Sequence, residues 1–238
     1  MQRADGKINI YSVLSIFFYI LIPSAIVVSA IVNEGRRYYI ISMGIIILSF
    51  VTFALGFEKK RPQAKELTVL AVLTALGVAG RVAFYMIPQF KASAAVIIIT
   101  AAAFGSRSGF LCGATVGFIS NFFFGQGPWT PWQMFAFGAV GFLAGVVFAP
   151  GRVKTTRIGL CIYGFLSVFI VYGLIADTSS VFMFTQNITV KTVLATYASG
   201  IVFNLIHAGA TVIFLAVLGM PLIKKLDRVC IKYGIDKQ

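Results

Sequence analysis

The chain has 238 residues, of which 59% are hydrophobic and only 11% charged, with a formal charge of +13. An ordinary soluble domain is about half apolar and about a quarter charged. The chain therefore has too little polar surface to coat a soluble globule and no room for a soluble catalytic domain beside its apolar runs. The positive charge falls mainly in short segments between those runs, so it points to membrane topology and anionic lipid rather than to nucleic acid.

Apolar runs long enough to cross a bilayer, about 20 residues for a helix, can be followed along the chain. The first is Ile8 to Val32 and the second Tyr38 to Phe57. The charged break Glu58 to Glu66 follows, with Pro62 interrupting any continuous helix. The third run is Leu67 to Ile87, ended by Pro88, and the fourth and fifth are the short stretches Phe90 to Phe104 and Gly109 to Phe124. Gly105-Ser-Arg-Ser-Gly109 between them predicts a hairpin. The sixth run is Pro131 to Phe148, the seventh Thr156 to Ala176 and the eighth Val190 to Leu218.

The expected architecture is thus all-α and integral to the membrane, with about eight spans. Residues 1–64 form a two-helix extension and basic linker, 65–225 a six-helix membrane domain, and 226–238 a basic cytoplasmic tail. With the N-terminus inside, 15 of the 20 Lys and Arg fall on the inner side. Four fall outside (Arg36, Arg37, Lys91 and Lys191), and Arg81 lies within a span. The positive-inside rule then predicts that both ends are cytoplasmic.

Few residues in these runs can carry chemistry. Arg81 is a charge in the outer half of the third span, where it must snorkel, face a cavity or meet a partner. No acid falls within the spans as drawn. Ala71, Ala75 and Ala79 recur every four residues on the same helix and form one narrow stripe, suited to close helix packing. Asn121 to Met134 is the most distinctive stretch. It holds both tryptophans, Trp129 and Trp132, with the amides Asn121, Gln126 and Gln133. Flat aromatic walls with a few polar groups suit a small-molecule pocket. Tyr85, Asn204 and the single histidine, His207, complete the candidate lining. Cys112, Cys161 and Cys230 form no metal-ligand spacing. No Walker A loop, HExxH or nucleophile elbow is present, so no catalytic residue is assigned.

The alanine stripe, the six-helix core and the segment GQGPWTPWQMFAFGAVGFLAG from Gly125 to Gly145 resemble the substrate-binding S components of energy-coupling factor (ECF) transporters. The resemblance covers roughly residues 65 to 225, and within it the outer segment is similar to the cobalamin-type group. It implies a vitamin-binding subunit of a prokaryotic plasma membrane that takes cobalamin or a related corrinoid from outside. It also implies a membrane T component docking on Ala71, Ala75 and Ala79, and two cytoplasmic ATPases driving transport. No permanent cofactor is implied. The two N-terminal spans depart from the usual six. The competing readings are a stand-alone ion-coupled transporter or channel, and a membrane enzyme or its structural subunit.

Overall fold

The computed structural model describes residues 64–185 and 188–235, together with Gly44. The first two expected spans, most of the 1–64 extension and the final three residues lie outside the described residues. Within them the chain forms six helices and no strand. These are α1 Ala64–Val82, α2 Ser93–Phe104, α3 Ser106–Phe124, α4 Thr130–Val147, α5 Arg157–Phe184 and α6 Val190–Tyr233. By length and composition α4, α5 and α6 can each cross a membrane. α2 is apolar but shorter, and α1 and α3 carry more polar residues.

The central helix is α2. Its sequence SAAVIIITAAAF is apolar on every side, and all of it except Ala102 is buried. A helix without a polar face can only be stable when surrounded, and α1, α3, α4 and α6 surround it. Gly105 alone joins α2 to α3. Its φ of 90° is open to glycine but costly for other residues, so the chain reverses in one residue. The predicted hairpin is therefore tighter than expected, and Arg107 begins a helix instead of occupying a loop.

Among the described residues, α3 and α4 make the closest packing. A Cβ on Gly113 would sit 2.5 Å from the Phe137 carbonyl carbon and 2.8 Å from the Gly138 nitrogen. Gly109 and Gly141 face each other's backbones in the same way, and Gly145 meets Gly105 and Ser106. Within a bilayer, where apolar burial does little to drive helices together, such backbone contact is what small residues permit.

Three boundaries differ from expectation. α1 ends at Val82, five residues early, and the chain turns through 83–92 with Gln89 in the left-handed region at φ 55°. α5 runs to Phe184 instead of ending at Ala176. Thr178, Ser179 and Ser180 donate back to the Leu174 and Ala176 carbonyls, so a stretch that reads as a polar loop is satisfied inside the helix. α6 continues through the expected tail as far as Tyr233. There Ile223, Leu226 and Cys230 turn inward while Lys224, Lys225, Arg228 and Lys232 are exposed, the stripe of an amphipathic helix.

Both long helices contain a π turn, Ser167–Tyr172 in α5 and Leu215–Gly219 in α6. The second lies just before Pro221, which cannot donate a backbone hydrogen bond. The first ends on Tyr172, a residue of the interior cluster, and π turns recur at functional sites.

Candidate functional site

Arg81 occupies the last turn of α1, opposite the alanine stripe. It is only 8% exposed. A buried guanidinium must have its donors met, and three side chains from two other helices do this. Nη1 donates to Ser120 Oγ and to Asn121 Oδ1 at 2.8 Å, and Nη2 donates to Gln133 Oε1 at 3.3 Å. The guanidinium carbon lies 4.6 Å from the Phe124 ring centre and 5.7 Å from that of Phe137. Arg81 therefore does not snorkel to a surface. It ties α1, α3 and α4 together, and its fork has five N–H groups, of which three are used.

The Phe124 ring also has a second cation near it. Lys91 Nζ is 5.2 Å from that ring centre. It donates to the Phe84 and Tyr85 carbonyls and, at 2.9 Å, to the Ile87 carbonyl. A lysine placed on the carbonyls just past a helix C-terminus is favourable for both dipole and hydrogen bonding. Burial first, and then the charge of Arg81, hold the Lys91 ammonium below its usual pKa. Neither cation has a carboxylate partner among the described residues.

Aromatic rings extend the site across to α5 and α6. Phe137 lies 4.7 Å from Tyr172, and Tyr172 meets His207 edge to face at 4.8 Å. Phe84, Phe90 and Phe214 form a further cluster at 5.2 to 5.5 Å. His207 is 2% exposed, and neither ring nitrogen has a hydrogen-bond partner. An imidazole carries a donor and an acceptor, so this buried ring can offer a bound molecule either one.

The expected site residues divide into three groups. Arg81, Asn121 and Gln133 are brought together directly, and His207 joins them through Phe137. Gln126, Trp129 and Trp132 serve the framework. Thr130 Oγ1 accepts from Asn121 Nδ2 at 3.0 Å and donates to Gln126 Oε1 at 2.9 Å, while Gln126 itself is exposed and locks the 125–129 turn onto the Phe118 carbonyl. Trp132 is 3% exposed inside α4 and packs near Phe182, so it is a core residue, not an interfacial anchor. Trp129 covers Gly127. Tyr85 is largely exposed, with its ring 4.9 Å from Phe124. Asn204 is engaged elsewhere, donating to Asp177 Oδ2 at 2.9 Å.

That last bond overturns one expectation. Asp177 is an acid within a long apolar helix, one residue beyond Ala176, where hydropathy ends the seventh run. Lys91, Phe124, Phe137 and Tyr172 also escape a reading of the sequence, since each gains its place only from the packing of other helices. Ala71, Ala75 and Ala79 all lie on the exposed side of α1.

Apolar helices enclose two cations, several flat rings and a few convergent amides, the kind of lining from which small-molecule sites are built. A family model described as the ECF-type riboflavin transporter, S component, matches residues 61–228. The chain belongs to that family and is a transporter subunit, not an enzyme. No curated protein and no solved structure gives a match.

Proposed function

We propose that the chain captures riboflavin, or a close flavin, from the outer side and delivers it inward as the substrate-specific subunit of an ECF-type transporter. The observation that carries this reading is the pinned guanidinium of Arg81. Its guanidinium lies over the Phe124 and Phe137 rings and keeps two of its five N–H groups unused. A planar heteroaromatic ring with carbonyls on one edge suits such a wall, through stacking and charge-assisted hydrogen bonds. The family's own description names riboflavin, which favours a flavin over the corrinoid expected from the sequence. A corrinoid also carries a rim of amide side chains, and the interior offers few polar groups to meet them.

The rest of the reading concerns partners and topology. The Lys and Arg distribution favours both ends in the cytoplasm, with eight spans, the first two added to a six-helix binding domain. The exposed alanine stripe suits docking of a membrane T component, with two cytoplasmic ATPases supplying the energy. Asp177 removes one argument against a stand-alone ion-coupled transporter, so the partner requirement needs its own test. In a riboflavin auxotroph, uptake is expected only when this chain is co-expressed with the T and ATPase subunits. The pair Ala71→Trp and Ala75→Trp should lower that uptake at least tenfold while leaving flavin binding to the purified protein unchanged. Full uptake by this chain in liposomes without partners would favour the stand-alone reading instead.

A further inference from the structure

Asp177 and Asn204 face each other between α5 and α6. Asn204 Nδ2 donates to one carboxylate oxygen at 2.9 Å, and the other oxygen accepts no hydrogen bond among the described residues. Two glycines make the space for this pair. A Cβ on Gly200 would lie 2.6 Å from Asp177 Oδ2, and one on Gly173 would lie 2.8 Å from Asn204 Nδ2. A half-buried carboxylate in an apolar helix is costly without a cation or several donors. Here it has one amide donor and no ion pair among the described residues, although two buried cations stand elsewhere in the same bundle.

The pair also lies near the aromatic site. Tyr172, which touches Phe137 and His207, is within electrostatic reach of both Arg81 and Asp177, and His207 is three residues after Asn204 on α6, about 4.5 Å along the helix axis. Tyr172 thus connects two chemically opposite clusters. One carries Arg81 and Lys91, which offer donors and positive charge. The other carries a carboxylate with free lone pairs, next to an amide whose oxygen and second N–H are also unused.

We infer that the Asp177–Asn204 pair grips the hydroxylated chain of the substrate while the Arg81 wall holds its ring. This rests on the flavin reading above. A carboxylate oxygen accepts from a hydroxyl, and a neighbouring amide can donate to or accept from the next hydroxyl along, so together they match adjacent alcohols. The pair is then a specificity determinant, selecting flavins by the chain and not by the ring.

The test uses purified full-length protein and two ligands, riboflavin and lumiflavin, the latter sharing the ring system with a methyl group in place of the hydroxylated chain. Binding is read by quenching of flavin fluorescence. Asp177→Ala should weaken riboflavin roughly thirtyfold, the scale of a lost hydrogen bond to a charged group, and change lumiflavin less than twofold. Asn204→Ala should do the same to a smaller degree, and Asp177→Asn, which keeps the shape, should fall between. Equal weakening of both ligands in all three variants, or no weakening of riboflavin, would overturn the assignment while leaving the flavin reading intact. Absence of any flavin binding by the unmodified protein would overturn both.

Discussion

Arg81→Met should reduce flavin binding by at least a hundredfold while leaving a protein that still folds in detergent. Methionine keeps much of the length and apolar stem of arginine but removes the charge and every donor. Three contacts disappear together: Ser120, Asn121 and Gln133 each lose the donor that orders them. Hydrogen bonds to a charged group are each worth about 1.5–3 kcal/mol, so loss of even two to a ligand exceeds a factor of a hundred. Arg81→Lys is the informative companion. It preserves charge over the Phe124 ring but cannot fork to three acceptors, and it should recover part of the affinity, to within about tenfold to thirtyfold of the unmodified protein. Fluorescence titration reads both, with thermal unfolding as the check on folding. Unchanged affinity in Arg81→Met would mean that the guanidinium only braces α1, α3 and α4.

Gly113→Ala should be among the most destabilising single-methyl changes available in this chain. The added Cβ would meet the backbone at Phe137 and Gly138, and a main chain in a packed helix cannot swing aside as a side chain can. Overpacking of this kind typically costs about 1–3 kcal/mol, and here it also forces α3 and α4 apart. The displacement would reach Asn121 and Gln133, one from each helix, and so loosen the grip on Arg81. Gly209→Ala provides the contrast. Nothing lies within 4 Å of a Cβ at Gly209, so that change should be neutral or slightly stabilising through helix propensity alone. Thermal unfolding in detergent should separate the two by several degrees. Equal midpoints would show that the α3–α4 contact is looser than the glycine geometry requires.

Much of the fold was legible because a bilayer protein writes its helices as apolar runs. The central helix, the hairpin at Gly105 and the span of α4 all follow from run length and glycine placement. What escaped the reading was the polar content of those runs. Thr178, Ser179 and Ser180 look like a helix end, yet their hydroxyls close onto carbonyls of the same helix, so hydropathy alone misplaces the boundary. Asp177 was lost with it. Arg81, Asn121 and Gln133 could be singled out because a charge and amides near apolar runs require an explanation. The bonds from Arg81 to the two amides span 40 and 52 residues of sequence, which no local pattern reports. Conversely, the tryptophans drew attention as ring surfaces, but Trp132 is consumed by packing. The rings nearest Arg81 are ordinary phenylalanines, indistinguishable in the sequence from the many others.

The segment from Gly125 to Gly145, on which the corrinoid expectation rested, carries the α3–α4 glycine packing and the turn beside Asn121. On the flavin reading proposed above, the choice of substrate falls instead to side chains from five different helices and the α1–α2 turn.

The most direct measurement is titration of the purified, partner-free protein with riboflavin and, separately, with cobalamin. The account predicts saturable quenching of flavin fluorescence at one flavin per chain, with cobalamin neither binding nor competing. Saturable cobalamin binding with no response to riboflavin would contradict it.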